Sequence, residues 1–75
     1  MKIEITYVAK IQKTQTFETN DPMWLKWFAA DANFFRTDEE EELLWEHSIE
    51  EFVEEQLNDD DIEIIEAETN KVIEK

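Results

Sequence analysis

Between Arg36 and Lys71 this chain has no lysine and no arginine, yet that stretch holds most of its acids. Residues 37–75 carry seventeen acids and two bases, a net −15. Residues 1–36 carry four acids and five bases, a net +1, which together give the −14 of the whole chain. Self-repulsion on this scale works against a compact state. Keeping a small domain in solution requires a net charge of only ~2–8. The excess, confined to one half, points to an electrostatic partner.

The rest of the composition narrows the fold. Seventy-five residues predict one domain, 1–75, and a chain this short buries only ~60% of its unfolded surface. There is no cysteine, so the core must come from hydrophobic side chains. Tyr7, Phe17, Trp24, Trp27, Phe28, Phe34, Phe35, Trp45 and Phe52 supply much of it. Glycine is absent too, which removes glycine-rich phosphate loops and dinucleotide fingerprints. It also leaves Asn20, Asn33, Asn58 and Asn70 as candidates for left-handed positions. No secretory leader and no run of ~20 apolar residues is visible. The expected location is the cytoplasm, the host's if the protein is viral.

Along the chain, Lys2–Ile11 alternates as a half-buried strand does, and Thr14–Thr19 reads as a second strand joined through Gln12-Lys13. Asp21-Pro22 opens a helix that carries Trp24, Trp27 and Phe28 on one stripe and ends at Asn33. Thr37-Asp38-Glu39-Glu40 is a capping box. The helix it starts runs toward Leu57, with Trp45, Ile49, Phe52, Val53 and Leu57 on one face. Ser48-Ile49-Glu50-Glu51 repeats the capping pattern and Leu44 falls off that face, so a break near His47-Ser48 is favoured over one straight helix. Asn58 stops the helix and Asp59–Asp61 turn the chain. Ile62–Glu66 reads as a strand, and a turn at Glu68–Lys71 leads to a brief last strand at Val72-Ile73. The order β-β-α-α-β, with a final short strand as an option, predicts an α+β fold: helices packed on one face of a small antiparallel sheet.

Chemistry finds little purchase in these residues. Asp59, Asp60, Asp61 and Glu63 are oxygen ligands, but they lack the spacing and sharp turn of a calcium loop. His47 has no histidine or cysteine companion for zinc. It also does not face its neighbour Ser48 on a helix, and Ser48 is better explained as a cap. No carboxylate is marked out as desolvated, so acid–base catalysis has no candidate. Neither a cofactor nor a metal is expected, and the chain reads as non-enzymatic.

Seven bases against twenty-one acids oppose direct binding of nucleic acid. The converse fits better. Residues 38–57 hold ten acids, which over a helix of about 30 Å is one charge per ~3 Å, close to the ~3.4 Å charge spacing of one B-DNA strand. Glu46, Glu50 and Glu54 form a predicted i, i+4 row, with Glu42, Glu51, Glu55, Asp59, Asp60 and Asp61 around it. In size, acidity and lack of cysteine the chain resembles the small phage-type inhibitors that mimic DNA and block nucleases or restriction and CRISPR effectors. No motif carries that resemblance and it assigns no residue. It implies a basic, nucleic-acid-binding enzyme as partner, with no role for a membrane. The alternative is an adaptor or assembly protein that docks through Trp24, Trp27, Phe34 and Phe35, a homodimer being one version of it.

Overall fold

The computed structural model describes residues 1–58 and 61–74. The elements follow in the order β1 (Lys2–Val8), β2 (Gln12–Glu18), α1 (Pro22–Ala32), α2 (Asp38–Glu46), α3 (Ile49–Leu57) and β3 (Glu66–Glu74). The strands form one antiparallel sheet in the order β2-β1-β3, an α+β fold as the element pattern predicts. β1 takes the centre because its alternation is the strongest in the chain: Ile3, Ile5 and Tyr7 are buried, while Glu4, Thr6 and Val8 are half-buried on the opposite face.

Two strand boundaries differ from expectation. The first strand ends at Val8 and the chain reverses over Ala9–Ile11, so Gln12 and Lys13 pair with Val8 and Tyr7 instead of forming the turn. The formal alternation continues to Ile11, but that side chain is 63% exposed and has no core to enter. At the other end, Ile62–Ile65 is irregular and β3 is a single strand through Glu74. The expected turn at Glu68–Lys71 is replaced by a register shift in which Glu4 pairs with Lys71 and Ile5 with Thr69. Asn70 is thus the extra residue of a β-bulge. Its Nδ2 donates to Glu4 Oε2 at 3.1 Å and to Thr6 Oγ1 at 2.8 Å on the face away from the helices. This bulge and a second register shift, between Lys2 and Ile3, let nine residues run along the seven of β1.

The helix signals hold. Asp21 accepts from the Met23 N–H and Pro22 occupies the first turn, where its missing donor costs nothing. Asn33 ends α1 in an extended conformation, so it is not a left-handed stop. Asn58, with φ 49°, is the one non-glycine residue with positive φ among those described. Arg36 closes the end of α1 from outside: its Nε donates to the Ala30 carbonyl at 2.8 Å and its Nη2 to the Asp31 carbonyl at 3.1 Å.

α1 and α3 cover the apolar face of the sheet. The core is a chain of rings meeting edge to face: Phe52 lies 5.0 Å from both Trp24 and Phe28 and 6.0 Å from Phe17. Ile3, Ile5, Val53 and Ile64 fill in around them. Among the described residues no helix is long and apolar enough to cross a membrane.

Phe52 is fully buried and is the contact common to β2, α1 and α3. A chain of this length is stable by about 4–11 kcal/mol, and truncating a core phenylalanine costs about 3–5 kcal/mol. Phe52→Ala is therefore expected to lower the thermal midpoint, followed by near-ultraviolet circular dichroism, by roughly 15–30 °C. A drop under ~5 °C would contradict this account of the core.

Candidate functional site

The acidic surface is built on two helices. α2 starts at the capping box: Thr37 Oγ1 accepts from the Glu40 N–H at 3.2 Å, and Glu40 Oε1 accepts from the Thr37 N–H at 3.0 Å. Asp38, Glu39, Glu40 and Glu41 fill its first turn, where the positive end of the helix dipole favours them. α2 ends at His47 and α3 begins from Ser48, both with extended backbones, so the favoured break is present. Ser48 Oγ accepts from the Glu51 N–H at 3.2 Å. Two side chains fasten the junction to the core. The indole N–H of Trp27 donates to the His47 carbonyl at 3.1 Å. The His47 ring packs edge-on against Trp24.

The break changes the predicted charge row. Glu46 is the last residue of α2, while Glu50 and Glu54 lie on α3, so the three do not form one continuous i, i+4 line. The single 30 Å rod becomes two rods of about 14 Å each. Glu42, Glu46, Glu54 and Glu55 are exposed, whereas Glu50 and Glu51 are half-buried. Two of these carboxylates also serve the fold. Glu51 Oε2 lies 2.6 Å from His47 Nδ1, a hydrogen bond that spans the junction. Glu55 Oε2 accepts the Trp24 indole N–H at 3.1 Å, satisfying a donor whose ring is otherwise buried. His47 is thus a half-buried part of the junction.

Glu42 and Glu46 line a groove of about 560 Å³ between α1 and α2, with Glu39, Glu40, Leu43 and Lys26. Among the described residues, Glu42, Glu46, Glu50 and Glu54 make no ion pair with a lysine or arginine. Asp59 and Asp60 lie outside the described residues. Asp61 is exposed and lines a different groove with Lys10, Lys13 and Glu63, so at that end the surface is of mixed sign. Among the described residues no group of three or more acids and histidines is placed to hold a metal ion.

The apolar residues divide. Trp24 and Trp27 are buried in the core, which removes them from any docking surface. Phe34 and Phe35 are 88% and 84% exposed and stacked edge to face on each other. Trp45, expected on the apolar face, is 86% exposed. That expectation holds only for one helix running unbroken through His47-Ser48. On α2 alone it falls about 20° from Asp38, with Glu41 and Glu42 at i−4 and i−3, in the middle of the acidic outer face. Treating the two caps as two helices is the sequence signal that finds it. No protein-family model, curated protein or solved structure matches this chain.

The backbone N–H of Thr37 holds the Glu40 carboxyl below the usual glutamate range, aided by the Asn33 amide. With the folded value depressed, the carboxylate's contribution is present above the unfolded value of ~4.3 and is lost as pH falls through the folded one. The Glu40 titration midpoint read by carboxyl NMR is expected below ~4.3. The stability difference between wild type and Glu40→Gln, present at neutral pH, should close below that range. A midpoint at or above ~4.3 would show that the box does not hold in solution.

Proposed function

We propose that this chain is a non-enzymatic acidic binding protein whose α2–α3 surface docks into a basic groove that otherwise holds nucleic acid. By filling that groove it would inhibit a nuclease, restriction or CRISPR-type effector, the action of a phage-type anti-defence protein inside the host cytoplasm. The observation that carries this reading is the exposure of Glu42, Glu46 and Glu54 with no base paired to them among the described residues. Carboxylates that stabilise a fold find partners within it, as Glu51 and Glu55 do. Among the described residues those three have none, and their mutual repulsion is relieved by a partner's arginines and lysines.

A second reading is supported by Phe34 and Phe35, which are exposed in the connection between α1 and α2. An adaptor would use them as an apolar plug, with the acids serving solubility. Ionic strength separates the two, since exposed charge pairs are screened within ~3 Å at 1 M salt while apolar contacts persist.

The test uses the variant Glu42/Glu46/Glu54→Lys, which leaves Glu51 and Glu55 in place and carries −8, each reversal adding two charges. Wild type and variant are immobilised and exposed to nuclease-treated bacterial lysate. The expected result is capture by wild type of nucleic-acid-binding proteins that moderate salt or added duplex DNA releases, with capture lost in the folded variant. Capture that survives both 1 M salt and the triple reversal would sink the mimicry reading and favour the Phe34–Phe35 plug.

A further inference from the structure

Trp45 has no explanation in the fold. The other two tryptophans are buried and spend their N–H groups on Glu55 and His47, whereas Trp45 stands 86% exposed on the outer face of α2. Glu41 and Glu42 precede it at i−4 and i−3 on α2, so they lie one turn toward the N-terminus on the same helix face. An aromatic plane with two carboxylates one turn away presents a particular chemistry. An apolar pocket closing over Trp45 would strip water from those carboxylates and give them nothing in return. A lysine ammonium would pair with one carboxylate as a point charge. A guanidinium satisfies the whole arrangement: its plane stacks on the indole while its forked N–H groups reach the carboxylates.

We propose that Trp45 is the anchor of the acidic surface and that it receives an arginine side chain of the basic partner, stacked on the indole and held by Glu41 and Glu42. This rests on the acidic-face reading above and makes it specific: the partner's groove presents arginine at the site where Trp45 docks. Charge supplies attraction over the whole of α2 and α3, and the indole supplies the discrimination between arginine and lysine.

The experiment titrates fluorescein-labelled nona-arginine and nona-lysine peptides into the full chain at low ionic strength, using wild type, Trp45→Ala and Trp45→Leu. Fluorescence anisotropy reads affinity, and near-ultraviolet circular dichroism of Trp24 and Trp27 confirms that each variant is folded. Both peptides should bind wild type, nona-arginine more tightly. The arginine preference should fall by roughly 3- to 10-fold in Trp45→Ala. Trp45→Leu should behave the same way, because it keeps apolar bulk and loses the ring. Nona-lysine affinity should be unchanged in both. An arginine preference equal in all three proteins, or one retained by Trp45→Leu, overturns the stacking role and leaves the acidic surface standing. If neither peptide binds wild type, or binding is unaffected by Glu42/Glu46/Glu54→Lys, the acidic-surface reading falls with it.

Discussion

The hydrogen bond from the Trp27 indole to the His47 carbonyl fixes the architecture of the acidic half. Inside a continuous helix that carbonyl would be committed to the backbone four residues on. Here the chain leaves helical conformation for two residues, which frees the carbonyl for α1. Ser48 immediately restarts a helix in a new direction. The same stretch places His47 between Trp24 and Glu51. One short junction therefore ties α1, α2 and α3 together, and it decides which carboxylates face the core's edge and which face water.

That division gives the acids two distinct jobs. Glu40, Glu51 and Glu55 close local networks: a helix start, the junction and a buried indole. Glu51 and Glu55 sit at the perimeter of the aromatic core, where a carboxylate can accept a hydrogen bond and still be hydrated. Among the described residues, the remaining acids of α2 and α3 make no side-chain hydrogen bond or ion pair to a base. The helix dipole favours those in the first turn of α2, but Glu46 is at the unfavourable end, where α2 itself has no basic residue, and it shares its groove with Lys26 of α1.

Much of this was legible from residues because capping is local chemistry. Asp21-Pro22, Thr37 with Glu40, and Ser48 with Glu51 each announce a helix start through side chain to backbone hydrogen bonds a few residues long, and all three starts are present, although at Ser48 only its own half of the capping box forms because the Glu51 carboxylate turns to His47. The strands were harder. Where β1 ends depends on how far the helices extend over the sheet, and Ile11 continues the pattern past that limit. β3 is not legible as one strand because Asn70, a turn-former by propensity, is absorbed as a bulge whose side chain is held by Glu4 and Thr6, residues more than sixty positions away. The acidic surface was readable as composition but not as geometry. Trp45 belongs to the frame of α2 alone, because the break at His47-Ser48 gives the residues before it a different helical face from those after it.

Solubility alone is a poor account of the resulting surface. A chain selected only to stay dispersed has reason to bury or replace large exposed rings, and this chain presents Phe34, Phe35 and Trp45 at more than four-fifths exposure. It has an aromatic core able to take up such residues, and it does take up Trp24 and Trp27. The rings left outside lie on α2 and the connection that leads into it, the segment with the densest acids. Charge far above what dispersal needs, combined with rings that work against dispersal, is consistent with one surface built to meet another: long-range attraction from the carboxylates and short-range grip from the rings.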